Sequence, residues 1–340
     1  MKKREPNFDN MLKVLKGELP ERPTLFELFM NDELYSRLAG EKIVAGMDPL
    51  TADRICTKAF YEAGFDYVAL GVSNFSLDAE VRKKQTTETV SWNDSFIPDW
   101  EALEKFHWMD PASCDKGKLE RIKPYLPDGM KVMAIGRGIL EWLEALVGYE
   151  NLCLKLYDDP EFVQTVTDKI GEKVYRYFEG AVQYDSVGFL CITDDWGFNT
   201  QTLLSAEAMR KYVFPWTKKI VELSHRYNKP IVLHSCGYFE NVIEDIIEEL
   251  KFDGRHSYED NITPVETAYE KYGDRLAILG GMDVDYMCRA SKEELVRRSR
   301  NLIEMSAGKG RFALGSGSSV PSYVPQENYL AILNTVREYE

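Results

Sequence analysis

The sequence predicts an α/β fold of the (β/α)8 TIM-barrel class, with an amino-terminal helical arm and a long insertion after the second strand. Eight short apolar runs begin near residues 24, 65, 131, 187, 230, 252, 275 and 311 and read as strands, with helical segments between most of them. Eight such units within 340 residues match the barrel repeat. A doubly wound open sheet, the runner-up, would normally show a glycine-rich phosphate turn after its first strand. The stretch from Leu25 to Asn31 contains no glycine.

Residues 1–21 are polar, with Met11, Leu12, Val14 and Leu15 as their apolar face, and read as an arm leading into a single barrel domain over 22–340. Pro23 to Phe29 is the first strand candidate, Thr51 to Gly64 a helix, and Phe65 to Gly71 the second strand. Residues 73–128 are irregular, with Trp92, Trp100, Phe106 and Trp108 among acids and prolines. Long irregular segments in compact domains tend to be lids, so this one reads as an insertion over a site mouth, with a simple peripheral excursion as the alternative.

A regular rhythm follows. Lys131 to Arg137 is a strand, and apolar helix positions run from Ile139 to Leu156. Asp159-Pro160 is a cap and first-turn pair opening a helix to about Gln183. Val187 to Thr193 is a strand ending in Asp194-Asp195-Trp196-Gly197, and Ser205 caps a helix running to about Tyr227, kinked near Pro215. The strand from Pro230 to His234 precedes a helix from about Glu240 to Leu250. Phe252 to His256 and Arg275 to Gly281 are the next strands. Ser291-Lys292-Glu293-Glu294 is a capping box, Arg311 to Leu314 the last strand, and a closing helix starts near Pro325.

With 44% hydrophobic and 29% charged residues the composition is that of an ordinary globular protein, and a formal charge of -14 disfavours diffuse attraction to nucleic acid or anionic membrane. No apolar run approaches the roughly 18 to 20 residues that a transmembrane helix needs. Six scattered cysteines without tight spacing, and a charged amino-terminal stretch unlike a secretory signal, predict free thiols in a reducing cytoplasm.

A barrel gathers its strand tips at one mouth. The polar tip residues include Glu27, Arg137, Asp194, Asp195, His234, Cys236, His256, Glu259, Asp260, Asp283, Ser316 and Ser318, half of them carboxylates, which suits a cation better than an anion. Side chains alternate along a strand, so His234 and Cys236 project from the same side of theirs. An imidazole and a thiol placed together can hold zinc, with a further ligand and one open position. A hydrogen-bonded core histidine beside a small buried cysteine is the competing reading. Gly280-Gly281 and the serine-glycine turn at Ser316 follow the seventh and eighth strands, where barrels often bind phosphate, although tight turns explain them as well.

At this point the chain resembles the uroporphyrinogen decarboxylase superfamily and its methyltransferase relatives. The matching stretches are Gly136-Arg137-Gly138-Ile139 with Gly148-Tyr149-Glu150, Tyr157-Asp158-Asp159-Pro160, Asp195-Trp196-Gly197 with Ser205 and Phe214-Pro215, His234-Ser235-Cys236-Gly237, Leu279-Gly280-Gly281-Met282-Asp283, and Pro325-Gln326-Glu327-Asn328. The decarboxylase branch implies an arginine-rich first strand; here Leu25 to Asn31 has none before Arg37. The methyltransferase branch implies zinc held by His-x-Cys and a cysteine near the last strand. His234 and Cys236 match, but Ser316 stands in the last-strand region where sulfur is expected.

The resemblance therefore implies a zinc site of His234, Cys236 and either Glu259 or His256, the former preferred. Asp194 or Asp195 and Asp283 would line the pocket and handle protons. Arg137, Gly280, Gly281 and Ser316 would contact a cofactor. The implied function is methyl transfer between a corrinoid and a thiol or related small-molecule acceptor, with a corrinoid protein as partner and a homodimeric assembly. Porphyrinogen decarboxylation and non-catalytic corrinoid or tetrapyrrole binding are the alternatives.

Overall fold

The computed structural model describes residues 4–77, 95–115 and 117–339. Eight parallel strands form the TIM-barrel-like sheet: β1 (Thr24–Leu25), β2 (Tyr67–Gly71), β3 (Lys131–Arg137), β4 (Val187–Thr193), β5 (Ile231–His234), β6 (Gly254–His256), β7 (Ala277–Leu279) and β8 (Phe312–Leu314). All eight expected strands are present. The hydrogen-bonded order is β1-β8-β7-β6-β5-β4-β3-β2, so the sheet curls round but no ladder joins β1 to β2 among the described residues. Instead the Tyr67 hydroxyl accepts from the Glu27 N–H at 2.7 Å and donates to the Glu27 carbonyl at 2.9 Å. The Phe26 and Tyr67 rings, 5.9 Å apart, pack across the same seam.

The strands read as continuous apolar runs because both faces are covered: Val132, Ala134, Leu190, Val232, Leu233 and Ile278 are fully buried. Along β3, β4 and β5 the register aligns Arg137 with Thr193 and Thr193 with His234. His234 in turn aligns with His256. Those carboxyl ends form the mouth. At the opposite end the arm helix Phe8–Lys16 buries Met11, Val14 and Leu15, and Phe8 stacks on Phe189 at 5.9 Å.

Several elements depart from the expected pattern. The first strand shortens to two residues because only β8 borders it; beyond Leu25 the backbone turns to Tyr67. Helix 139–156 is two helices, Ile139–Val147 and Tyr149–Asp158, since Gly148 adopts φ +79, a left-handed value that glycine reaches without strain. Asp159 caps the long helix Pro160–Val182 as expected. The segment before Pro215 is a wide π turn, Met209–Val213, feeding the helix Phe214–Arg226; proline cannot donate the regular bond there. Between β5 and β6 the expected helix is a 3-10 turn, Glu240–Val242, and a π turn, Asp245–Glu249, with Val242, Ile246 and Leu250 all buried. The capping box at Ser291 and Glu294 is present, opening the helix Lys292–Ser306.

Part of the 73–128 segment, including Trp92, lies outside the described residues. Its described portions pack along the barrel flank: Trp100 donates to Asp159 at 2.9 Å and meets Phe162 edge-on, and Phe75 packs on Trp142 and Tyr177. No described helix is long and apolar enough to cross a membrane.

Candidate metal centre at the strand tips

Three side chains from two neighbouring strand tips converge. His234 ends β5, Cys236 follows two residues later on the same side, and Asp195 lies two residues beyond β4. One ligand atom from each lies within 4.8 Å of the others. His234 Nε2 is 3.7 Å from Cys236 Sγ and 3.8 Å from Asp195 Oδ1. Asp195 Oδ1 also accepts the Cys236 N–H at 2.7 Å, which ties the two strand tips together. Nitrogen, sulfur and oxygen donors at this spacing form a set that could hold zinc and leave a position open.

Behind this trio a hydrogen-bond chain sets the protonation of His234. His256 Nε2 is 3.0 Å from the Ser316 carbonyl, which only accepts, so that nitrogen carries the hydrogen. His256 Nδ1 is then an acceptor, and at 2.8 Å it takes the hydrogen of His234 Nδ1. His234 Nε2 is left with a bare lone pair facing Cys236 and Asp195, the tautomer a metal ligand needs. Both imidazoles are held neutral: burial, helped by the Arg255 charge, pushes His234 down to about 3, and burial together with His234 drives His256 well below the ordinary range. Burial and the Asp195 charge push the Cys236 thiol up to about 11, so without a bound cation the sulfur keeps its proton at neutral pH.

The other expected site residues fall in different places. His256 lies behind the trio with both ring nitrogens engaged, so it supports His234 instead of sharing its face. Glu259 stands outside the converging group; its Oε1 accepts from the Gly237 N–H at 3.3 Å, and it lines the adjoining cavity. Asp194 is buried away from the mouth. Its oxygens accept the N–H groups of Ile139, Leu140 and Glu141 at 3.1, 3.2 and 2.8 Å and the Trp196 indole N–H at 2.7 Å. It caps a helix start, where N–H groups point at an anion.

Asp283 caps the helix Val284–Arg289 through Tyr286 N–H and also accepts from the Asp260 N–H, while facing the cavity. Arg137 pairs with Glu141 at 2.9 Å and stacks on Trp142. Gly280 and Gly281 have φ values of +73 and +103, and their N–H groups already serve the carbonyls of Ala313 and Ser316. A Cβ on Gly280 would lie 2.2 Å from the Ser316 carbonyl, so close packing accounts for that glycine. Ser316 is buried, its hydroxyl donating to Glu27 at 2.7 Å. All four residues expected to contact a cofactor are engaged in packing and internal hydrogen bonds.

A cavity of about 1170 Å³ opens beside Cys236, with Glu259, Asp283, Tyr286, Ser318 and Tyr323 in its wall. Its lining carries four carboxylates, Glu259, Asp260, Asp283 and Asp285, against one arginine, Arg289, which pairs with Asp285. Two further groups touch the sulfur: the hydroxyls of Ser257 and Ser318 lie 3.5 and 3.6 Å from Cys236 Sγ. Ser257 went unrecognised in the sequence, although its place one residue past a strand-tip histidine is the signal that could have found it.

A family model for uroporphyrinogen decarboxylase matches residues 112–339, a span that contains the entire trio and its support. The chain belongs to the uroporphyrinogen decarboxylase family. Among curated relatives, the uroporphyrinogen decarboxylase of Pseudomonas fluorescens (strain Pf0-1) is 29% identical over 193 residues, covering 54% of this chain and 50% of that protein. The Geobacter sulfurreducens uroporphyrinogen decarboxylase is 22% identical over 204 residues, covering 60% and 55%. The chain thus spans about half the length of the curated relatives it matches. A methyltransferase from Methanosarcina mazei shares the fold at a TM-score of 0.71 and 17% identity, over 97% of this chain and 98% of that one. The fold is thus one that this family has in common with a methyltransferase.

Proposed function

We propose that the protein is a zinc-dependent methyltransferase of the uroporphyrinogen decarboxylase family, moving a methyl group between a corrinoid and a thiol or related acceptor. The observation that carries this reading is the convergence of Asp195, His234 and Cys236 with the His234 lone pair exposed to the other two donors. Asp195 replaces Glu259 and His256 as the preferred third ligand, because its carboxylate already lies within reach of His234 Nε2. When bound, zinc would hold an acceptor thiol as the nucleophilic thiolate.

The chain's own residues do the rest. His256 and the Ser316 carbonyl keep His234 in its ligating tautomer; Ser257 and Ser318 hydrogen-bond the Cys236 sulfur; the cavity beside Cys236 receives the substrate. Glu259, in the wall of that cavity and hydrogen-bonded to the Gly237 N–H, would accept the acceptor's proton.

Decarboxylation of a porphyrinogen is favoured by the named relatives and by the half-exposed Asp195 carboxylate at the mouth. Against it, a polycarboxylate needs gathered cations, and the described cavity wall is acid-rich. The test is metal analysis of protein purified without chelator, followed by assays with methylcobalamin and a panel of thiols beside uroporphyrinogen. About one zinc per chain, lost in Cys236→Ser and His234→Ala, and methyl transfer to a thiol are expected. Acetate-chain loss from uroporphyrinogen in zinc-free protein would replace this reading with the decarboxylase, and a ligand-induced corrinoid spectrum without turnover would replace it with a binding protein.

A further inference from the structure

Arg255 is fully buried, yet no ion pair reaches its guanidinium among the described residues. It lies in β6 opposite Leu233, on the face away from His256, with its guanidinium 3.6 Å from the Phe239 ring centre and 5.0 Å from that of Tyr258. Taking a permanent positive charge out of water is costly unless something compensates it. Two of its nitrogens donate to the carbonyls of Ser257, at 2.6 Å, and Ser235, at 2.9 Å, the Tyr258 side chain is a further hydrogen-bond partner, and Nε has none among the described residues.

Those two carbonyls are the ones that matter for the metal trio. The Ser235 carbonyl belongs to the peptide whose N–H is that of Cys236, and this N–H donates to Asp195 Oδ1 at 2.7 Å. One peptide group is therefore gripped at its oxygen by Arg255 and at its hydrogen by a ligand carboxylate. Hydrogen bonds arranged in a chain polarise one another. The second carbonyl belongs to Ser257, whose hydroxyl reaches the Cys236 sulfur at 3.5 Å. A rigid planar fork suits this double grip, which an ammonium could not reproduce.

Resting on the zinc reading above, we infer that Arg255 is a positioning residue for the metal site: from beneath the strand tips it fixes the Ser235–Cys236 peptide and Ser257, and through them the placement of the Cys236 sulfur and the Asp195 carboxylate. Outer residues that orient ligands typically contribute about 10- to 100-fold to metal affinity.

The variant that separates this role from packing is Arg255→Met, which keeps an unbranched side chain against Phe239 and removes both the charge and the fork. Removing a costly buried charge offsets part of the cost of leaving the two carbonyls without their donor. Zinc affinity is measured by competition with a chromophoric chelator, and the site's geometry by the absorption spectrum of the cobalt-substituted protein, on wild type, Arg255→Met and Arg255→Lys. The expected order of affinity is wild type, then lysine, then methionine, with a fall of about 10- to 100-fold for methionine and a weakened sulfur-to-cobalt charge-transfer band, both read at a temperature where each variant is fully folded. Wild-type affinity and spectrum in Arg255→Met would overturn the inference while leaving the zinc site standing. If that variant does not fold, Arg255→Lys decides: unaltered affinity overturns the inference, and a several-fold loss with an altered cobalt spectrum supports it. Failure of wild type itself to bind zinc or cobalt removes the zinc reading and this inference together.

Discussion

His256 shows how much of a site depends on residues that touch nothing reactive. Its two nitrogens connect a carbonyl to His234, and direction is imposed by the carbonyl's inability to donate. Replacing it with phenylalanine keeps a ring against Phe26, 4.9 Å away, but leaves the His234 N–H and the Ser316 carbonyl without their partner. Zinc affinity in His256→Phe is expected to fall about 10- to 100-fold, read by chelator competition. Unchanged affinity would show that His234 needs no outside help to present its lone pair. The pair Asp194 and Asp195 makes the complementary point. Neighbours in sequence, they face opposite ways: one is sealed under a helix start and the other joins His234 and Cys236. Two adjacent carboxylates at a strand tip are easy to see in a sequence, whereas their division of labour is not.

At the scale of elements, Asp194 is the join between β4 and the helix Ile139–Val147. Gly138 precedes that helix and offers no capping side chain, so a carboxylate from the next strand does the work. Burial raises its pKa to about 6 while the Trp196, Glu141 and Leu140 donors oppose the rise. Asp194→Asn swaps an acceptor oxygen for an N–H donor aimed at other donors. A loss of about 3 kcal/mol in urea unfolding is expected, with zinc stoichiometry retained. Loss of zinc with unaltered stability would instead place Asp194 in the chemistry.

The elements themselves were largely legible. Apolar runs bounded by turn residues marked all eight strands, and Asp159-Pro160 and Ser291 marked helix starts, because strand period and capping are local properties. What was missed is non-local. The helix Asp32–Ala39, capped by Asn31, lies in a polar stretch and is held by packing on Pro49–Ala63. Gly148 could have been read as a helix breaker, since nothing else in 139–156 interrupts the pattern.

Across the whole molecule, the seam between β1 and β2 is the feature that the strand count could not anticipate. Glu27 sits beside it, fully buried, accepting from Ser316 and from the Tyr329 hydroxyl at 2.9 Å. Burial raises its pKa from 4.5 to about 7. Between those two values the folded chain binds a proton that the unfolded chain has released, so this group's contribution to stability is full below about pH 4.5 and is lost as pH rises through about 7. The total is about 3 kcal/mol. Glu27→Gln, which cannot ionise, should remove that slope: the stability of the variant relative to wild type should climb from pH 5 to pH 8 in parallel urea titrations. Matching pH profiles would mean that Glu27 ionises freely in the fold.

The amino-acid sequence by itself determined the repeating strand and helix units, the family, and the placing of an imidazole and a thiol on one side of one strand. The units and the shared side follow from periodicities of two and about 3.6 residues, which need no partner to be expressed, whereas the family rests on motifs such as His234-Ser235-Cys236-Gly237. Only the tertiary structure decided that Asp195 joins them, that His256 stands behind instead of beside, and that the barrel is stitched at Tyr67. Each of those depends on the register between strands far apart in sequence, where a shift of one residue turns a side chain to the other face.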